Sequence, residues 1–227
     1  MFMDPSYMLW VMLPTILLTV YAQWKVKSAF GRWSRVANEQ GVSGLDTARA
    51  IMRHVGLEHV AIGQVEGDLT DYYDPREKAI HLSRTSTQPS VAAMAIVAHE
   101  LGHAEQDKTG DVMLKLRAAI VPAANIGSRL SWLLIIAGLM LNLTGLAWIG
   151  VWLFSAAVAF TLVTLPVEFD ASRRAKRHLR ELNLVSATEA GGVNAVLNAA
   201  ALTYVAAAAG AVLQLLYWVS LLSGRRA

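Results

Sequence analysis

The chain has 227 residues and a formal net charge of +3, and 55% of its residues are hydrophobic whereas only 16% are charged. Charged residues make up about a quarter of a typical soluble domain, so this composition indicates a membrane protein. The chain contains no cysteine, which excludes disulfides and thiolate metal sites. It has no basic strip with interleaved aromatic residues, and we therefore expect no nucleic-acid partner.

The N-terminal region contains the first apolar segment. Residues 7–24 carry no charge and are numerous enough to cross a bilayer as a helix. A signal peptide is the alternative, but no basic segment precedes this run and no small-residue cleavage site follows it. We therefore predict a first transmembrane helix within residues 1–24.

Residues 25–115 form the longest polar region, and we predict that they fold as a small α+β domain. The periodicity of residues 44–57 predicts a helix, with Asp46 as its N-cap and Gly56 as its stop.

Short strands are predicted next, within residues 59–67 and 69–83, around an Asp-Pro turn at 74–75. Pro89 and Ser90 then introduce a second helix, which carries the most informative motif of the chain.

Two long apolar blocks in the C-terminal half predict three further spans. Residues 130–166 contain no charge and are too many for one span, so they predict a helical hairpin within 116–167, with its turn at 142–145. If the first helix of the hairpin begins before this block, Arg129 lies at some depth in the bilayer and must face protein or water. Residues 193–222 predict the fourth transmembrane helix.

Basic residues near the span ends lie on one side of this four-span topology. The positive-inside rule then puts residues 25–115 and 168–192 in the cytoplasm and both termini outside, where Arg225 and Arg226 lie. The predicted fold class is therefore a mainly α integral membrane protein with about four transmembrane helices and a small α+β cytoplasmic domain. The basic residues on the cytoplasmic side are Lys25, Lys27, Arg32, Arg35, Lys115, Arg117, Arg173, Arg174, Lys176, Arg177 and Arg180.

The segment AIVAHELGHAEQ (95–106) has the pattern H-E-x-x-H on a predicted helix. Residues i and i+4 lie one above the other on a helix, so His99 and His103 can bind the same ion, and zinc binds imidazole readily. Glu100 lies beside the first histidine, in the position of the general base of zinc peptidases. Gly102 is a poor helix former, which indicates that another backbone or the substrate passes close to it. Two unrelated histidines on a surface helix are the alternative, but the apolar lead-in would bury both imidazoles without partners.

A catalytic zinc site of this kind needs a third protein ligand. The longer metzincin pattern is excluded, because Gln106 and Thr109 occupy the positions of its glycine and its third histidine. Glu168 is the first candidate, since it lies at the cytoplasmic mouth of the third span, where a carboxylate near hydrocarbon needs a partner. Asp170 is the competing ligand, or an acceptor for a histidine N–H.

Other polar residues near the motif have weaker predictions. Glu168 can instead form an interfacial salt bridge with Arg173 or Arg174, and His178 is expected to be an exposed surface histidine. In zinc peptidases an extended substrate often pairs with an edge strand beside the metal, and residues 78–83 are the candidate strand. The side chains that could stabilise the oxyanion of the transition state are Tyr72, Tyr73, His81 and Arg173.

Three separated segments, LTDYYDP, AHELGHAEQ and LPVEFDASRRA, together resemble the neutral zinc metallopeptidase family of bacterial membrane proteins, over roughly residues 1–222. More distantly, the chain is similar to membrane zinc proteases of the heat-shock and CAAX-prenyl type. The resemblance implies a zincin-like domain with one Zn²⁺ ion per chain, in a protein of the bacterial inner membrane.

The resemblance also implies roles for particular residues. Two histidine ligands, a general base and a glutamate ligand are implied, and these are His99 and His103, Glu100, and Glu168. The distant relatives carry an acid four residues after this glutamate, whereas here that position is Ser172 and the nearby acid is Asp170. The division of roles between Glu168 and Asp170 therefore stays open.

The sequence predicts a membrane-embedded zinc endopeptidase with its site near the cytoplasmic membrane surface. Its expected partners are the lipid bilayer and substrates that are membrane proteins, or peptides, near the interface. The alternative is a non-catalytic membrane scaffold or zinc sensor that uses the same site structurally, but such a site needs no base at Glu100. A transporter would place ionisable residues through its spans, and apart from Arg129 the predicted spans have none.

Overall fold

The computed structural model describes residues 4–224, so Arg225 and Arg226, on which part of the predicted orientation depends, lie outside the described residues. The chain is mainly helical and contains a three-stranded sheet. In chain order the elements are α1 (Pro5–Trp33), α2 (Gly44–Val55), β1 (Ala61–Val65), β2 (Tyr72–Asp74), β3 (Ala79–Ser83), α3 (Val91–Thr109), α4 (Val112–Met140), α5 (Thr144–Glu181) and α6 (Ala187–Ser223).

Helices α1, α4, α5 and α6 are each long and apolar enough to cross a membrane, with mean hydropathies between 1.4 and 2.1. The prediction of a mainly α membrane protein with four spans and a small α+β part is therefore confirmed. Helix α4 begins well before the uncharged block and includes Arg129, whose side chain is exposed. The turn between α4 and α5 spans residues 141–143, where Asn142 adopts a left-handed φ of 57°.

The described residues pack as two compact units. The first, called here the membrane unit, comprises residues 4–22, 115–166 and 203–224, and the second, called the sheet unit, comprises residues 23–114 and 167–202. All of the predicted site residues belong to the sheet unit.

Within the membrane unit, small residues let α4 and α5 approach closely. A Cβ atom on Gly150 of α5 would lie 2.8 Å from the carbonyl oxygen of Ser131, so a larger residue would push the helices apart. Trp218 of α6 is buried and packs edge-on against Trp132, with ring centroids 5.7 Å apart. Trp218 therefore contributes to helix packing.

Helix α2 of the sheet unit is delimited by hydrogen bonds at both ends. Ser43, not Asp46, is the N-cap: its hydroxyl accepts the backbone N–H of Asp46, and the Asp46 carboxylate accepts the backbone N–H of Ser43 in return. The predicted cap is thus the N3 residue of a capping box, one turn further on. Gly56 ends the helix in the left-handed conformation, with φ 68°, as predicted.

The sheet has the strand order β1–β3–β2, with β1 parallel and β2 antiparallel to β3. The prediction that residues 78–83 form an edge strand is therefore wrong. Strand β3 is paired on both sides, so its backbone groups are occupied and cannot pair with a substrate. The edges are β1 and β2, and the edge strand β2 contacts the histidine-bearing helix through Tyr73.

Helix α3 begins at the N-cap Ser90, whose hydroxyl accepts the backbone N–H of Ala93 at 3.1 Å. Its first half is almost completely buried, as its run of alanine and branched residues predicts. A Cβ atom on Gly102 would lie 2.5 Å from the backbone oxygen of Ala171 in α5. The backbone predicted to pass close to Gly102 is thus that of α5. The core around this contact includes Ile51, Leu57, Ile80, Leu82, Met94, Leu101, Leu179 and Leu197.

Candidate metal centre

Two helices bring three potential metal ligands together in the sheet unit. The Nε2 atoms of His99 and His103 lie 3.2 and 3.5 Å from Oε2 of Glu168, and the three ligand atoms all lie within 4.8 Å of one another. Glu168 is almost fully buried, with 1% of its surface exposed. Glycine at position 102 permits this convergence, because it allows α5 to lie directly against the face of α3 that carries both histidines.

The spacing of these atoms fits a zinc ion. Tetrahedral zinc with bonds of about 2.0–2.2 Å separates its ligand atoms by about 3.3–3.6 Å, and the two distances to the Glu168 oxygen are 3.2 and 3.5 Å. Two imidazole nitrogens and a carboxylate oxygen also form a donor set that zinc prefers. The residues present therefore fit the ion that the sequence motif predicts.

The tautomer of His103 follows from its hydrogen bond to Gln106. The Gln106 amide nitrogen donates to the backbone oxygen of Val167 and to the Asp170 carboxylate, both at 2.9 Å, so the amide oxygen is the atom left for His103. That oxygen lies 3.0 Å from Nδ1 of His103, which must then be the protonated nitrogen. Nε2 of His103 consequently presents a lone pair to the Glu168 oxygen. Because both atoms are acceptors, they need a cation between them, which is either a proton or a metal ion.

His99 is oriented in a similar way by Ser172. Nδ1 of His99 lies 3.2 Å from the Ser172 hydroxyl, and its Nε2 lies 3.2 Å from Glu168. A ligating histidine usually hydrogen-bonds through its other nitrogen, which fixes its tautomer and its ring orientation. Ser172 occupies the position where the distant relatives carry an acid, and it contacts the first histidine of the motif.

Asp170 does not join the three converging ligands. Its carboxylate accepts from Gln106 at 2.9 Å and from Arg174 at 2.6 Å, and it also pairs with Arg173. The two arginines that were alternative partners of Glu168 are thus paired with Asp170. Asp170 reaches the site through Gln106, which in turn holds His103. Gln106 is completely buried.

Glu100 lies beside the cluster and contacts strand β2. Its Oε2 accepts the backbone N–H of Tyr73 at 3.1 Å. Burial raises the pKa of the Glu100 carboxyl, and the carboxylates of Glu168 and Asp71 raise it further, whereas the neighbouring histidines oppose this effect. A carboxyl group with a raised pKa is a stronger proton acceptor once it is ionised.

A second group of polar contacts fastens β2 to α3. The Tyr73 hydroxyl donates to Asp107 at 2.6 Å, and the Lys78 ammonium donates to the same carboxylate oxygen. Burial opposes ionisation of Asp107, but these two hydrogen bonds outweigh it and hold the pKa of the carboxyl below its ordinary value. Burial and the bond to Asp107 raise the pKa of the Tyr73 hydroxyl. These bonds help to keep the Tyr73 backbone next to Glu100.

The remaining predicted site residues lie apart from the three ligands. Tyr72 and His81 are opposite each other on β2 and β3, and their rings stack with centroids 4.6 Å apart. Arg173 is largely exposed and pairs with Asp170. Among the contacts described for these three side chains, none reaches His99, His103 or Glu168.

The prediction for His178 is wrong. It is buried, with 2% of its side chain exposed, and its Nε2 lies 2.7 Å from the Glu105 carboxylate. Helix α2 packs over this part of α5 and brings the ring centroids of His54 and His178 within 5.7 Å. Sequence reasoning also missed Gln106, although its position three residues after His103 puts it on the same helix face.

Two comparisons with known proteins identify the family. The chain matches the family described as "Putative neutral zinc metallopeptidase" over residues 8–223. It is 43% identical over 210 residues to "Putative membrane protease YugP" of Bacillus subtilis (strain 168), an overlap of 92% of this chain and 93% of that relative. No solved structure matches the chain. Because both matches run through nearly the whole sequence, the resemblance of the three segments is confirmed and the chain belongs to this family of zinc metallopeptidases.

Proposed function

We propose that the protein is a zinc-dependent membrane endopeptidase in which His99, His103 and Glu168 hold the ion and Glu100 is the general base. The observation that carries this proposal is the convergence of two imidazole nitrogens and a buried carboxylate oxygen beside Glu100. Structural zinc sites are normally closed by four protein ligands. This cluster offers three among the described residues, which leaves a position for water or substrate.

The protein side chains then have distinct tasks. A bound zinc ion supplies a Lewis acid that polarises the scissile carbonyl and makes water a better nucleophile at neutral pH. Glu100 accepts the proton of the attacking water and passes it to the leaving amine. The Tyr73 amide, which donates to Oε2 of Glu100, holds the carboxylate in place and leaves Oε1 to take the proton.

The site also suggests how a peptide is held. Tyr73 of the edge strand β2 contacts Glu100, so an extended substrate beside β2 would lie next to the base. Because Glu100 occupies the Tyr73 amide, such a substrate would pair with other backbone groups of this edge. Tyr72, His81 and Arg173 stay candidates for contacts with the substrate or the oxyanion. Glu168 follows the apolar part of α5 almost directly. We therefore propose membrane-protein or peptide substrates near the interface, on the cytoplasmic side of the bacterial inner membrane.

The mechanism is tested with Glu100→Gln in the purified full-length protein in detergent. We expect the variant to keep its zinc and to lose cleavage of an unfolded, fluorescently labelled protein by about 10²–10⁴-fold, because a general base contributes that much. Glu58→Gln removes an exposed carboxylate of the same unit and is the matched control, with zinc content and cleavage unchanged. Cleavage by Glu100→Gln at the wild-type rate would refute the mechanism. A zinc-loaded wild type that cleaves no substrate would favour the scaffold.

The orientation can be tested separately because the chain has no cysteine. Single substitutions Glu58→Cys and Leu141→Cys place thiols at exposed positions of the polar region and of the α4–α5 turn. We expect a membrane-impermeant thiol reagent to label Leu141→Cys in intact cells and Glu58→Cys only after the inner membrane is opened. The reverse pattern would put the site on the outer side.

A further inference from the structure

A second group of potential metal ligands lies elsewhere in the sheet unit. His54, His178 and Glu181 each offer one ligand atom, and these three atoms lie within 4.8 Å of one another. The described pairs join Nε2 of His54 and Nδ1 of His178 to Oε2 of Glu181. The distances to the Glu181 oxygen are 3.2 Å from His54 and 3.8 Å from His178. His54 is near the end of α2, whereas His178 and Glu181 lie one turn apart near the end of α5.

The buried histidine of this group has a nitrogen that the fold leaves without a hydrogen bond. Nε2 of His178 lies 2.7 Å from the Glu105 carboxylate, an acceptor, and 3.5 Å from the Arg177 guanidinium, a donor. The much shorter contact is the one to the acceptor, so Nε2 is the protonated nitrogen. Nδ1 then carries a lone pair, and no described residue donates a hydrogen bond to it although the side chain is 2% exposed. An unsatisfied buried polar atom costs free energy, so this position calls for a ligand.

The alternative is an ion-pair network with a doubly protonated His178. In that case Nδ1–H would need an acceptor, and the nearest carboxylate oxygen, on Glu181, is 3.8 Å away, too far for a hydrogen bond. The same Glu181 oxygen is already within 3.2 Å of His54. Arg177 lies near the other Glu181 oxygen, at 3.9 Å, which leaves Oε2 for a cation. A proton therefore satisfies this cluster less well than a metal ion does.

We propose that His54, His178 and Glu181 form a second zinc site. Glu105, His178 and the ion would make the carboxylate–histidine–metal arrangement that is common around protein-bound zinc. Two imidazoles and one carboxylate, without thiolate, suit zinc and other borderline divalent metals rather than calcium or magnesium. His54 and Glu181 are partly exposed, with 38% and 46% of their side chains accessible, so the ion can enter from solvent and water can complete its coordination.

The site would connect α2 to the C-terminal part of α5. Helix α5 also carries Glu168, and His178 is held by Glu105 of α3, which also carries His99 and His103. The second ion would thus fasten α2 to the two helices that form the first metal centre. This site also has three protein ligands, but among the described contacts no free carboxylate lies beside it as Glu100 lies beside the first site, because Glu105 is paired with His178 and with two arginines. We therefore assign the second ion a role in stability and not in catalysis. The expected stoichiometry rises from one zinc per chain to two.

The test counts zinc in the purified full-length protein in detergent, after removal of metal with a chelator and reloading with zinc alone. We expect two zinc ions per chain for the wild type, one for His54→Ala and one for Glu181→Gln. Both substitutions are at partly exposed positions, so the fold is retained. His59→Ala removes an exposed histidine nearby and should keep two ions, which controls for zinc held loosely by surface histidines.

The two sites are separated in a His99→Ala/His103→Ala background, whose helical circular dichroism is compared with that of the wild type. We expect this background to keep one zinc and to melt at a higher temperature with zinc than without it. Adding His54→Ala should abolish both effects. If the wild type binds a single zinc that this background loses, the second site is refuted while the proposed peptidase stands. The second site is also refuted if His54→Ala retains two zinc ions. If Glu100→Gln still cleaves, the peptidase mechanism is refuted and the second zinc site is unaffected.

Discussion

Replacing Gln106 by methionine tests whether the first zinc site depends on residues that never touch the ion. Methionine has a similar length and volume but offers no amide, so Gln106→Met removes the acceptor of His103 Nδ1 and the donor to Asp170. His103 then keeps its place on α3 but loses the hydrogen bond that fixes its tautomer. Because Gln106 is completely buried, water cannot restore this bond.

The expected magnitude follows from the number and kind of bonds lost. Removal of a group that orients a metal-bound histidine typically weakens metal binding or activity by about 10–100-fold. The fold also loses a hydrogen bond to a carboxylate, which contributes about 1.5–3 kcal/mol, and neutral ones of about 1 kcal/mol each. We therefore expect a folded but destabilised variant whose zinc affinity is about 10–100-fold lower than that of the wild type.

The assay is a competition for zinc between the purified protein and a chromophoric chelator, with helical content checked by circular dichroism. Gln64→Met makes the same replacement at an exposed position on β1 and should bind zinc like the wild type. If Gln106→Met is folded and its zinc affinity lies within about twofold of the wild type, the assignment of Gln106 as the residue that orients His103 is wrong.

Three further predictions concern the same unit. Glu168→Ala should lose the zinc of the first site, as His99→Ala/His103→Ala does, whereas Asp170→Ala should retain this zinc with reduced affinity. If only Asp170→Ala loses it, Asp170 is the ligand and Glu168 is not. Gly102→Ala should cost about 1–3 kcal/mol of stability together with much of the zinc affinity, because its methyl group meets the backbone of α5, whereas Gly31→Ala, with open space around it, should be neutral or stabilising. The pKa of Asp107 is depressed in the folded protein. The carboxylate therefore contributes fully to the free energy of unfolding above the ordinary carboxyl pKa of about 4, and this contribution disappears as the pH falls through the depressed pKa of the folded state. Asp107→Asn should therefore lower the melting temperature at pH 7, by an amount equivalent to about 1–2 kcal/mol, with the difference from the wild type shrinking towards acid pH; an unchanged melting temperature at pH 7 would show that the carboxylate contributes nothing.

Local patterns predicted most of the fold and the core of the site. Helical periodicity puts His99 and His103 on one face whatever surrounds them, and uncharged runs of sufficient length predict spans without knowledge of their neighbours. Glu168 could be chosen because an acid at the end of an apolar run needs a partner. Each of these inferences depends on residues within a single continuous segment of the chain.

Apart from the N-cap of α2, which is Ser43 and not Asp46, the errors concern contacts between segments that are distant in sequence. Strand β3 lies between β1 and β2, and this order depends on a parallel pairing with β1 that no local pattern predicts. His178 was expected to be exposed, but its environment is set by residues of α2 and α3, which are distant in sequence. The contacts of Gln106 with Val167 and Asp170 could not be predicted from local sequence either, because these two residues lie on another helix.

The pattern of the site follows from one helix crossing. Gly102 of α3 and Ala171 of α5 are the two small residues at the contact. Each of them has one residue of the proposed site three positions before it (−3) and another directly after it (+1). On α3 these are His99 and His103, and on α5 they are Glu168 and Ser172. An i,i+4 pair on one helix therefore faces an i,i+4 pair on the other, and the observed contacts join His99 to both members of the opposite pair and His103 to the glutamate. A residue at the +1 position of α5 can orient a histidine whether it is a serine or an acid, since either offers an oxygen to Nδ1–H. With the proposed roles, Ser172 can therefore orient His99 without an acid at this position, while Asp170 acts on His103 through Gln106.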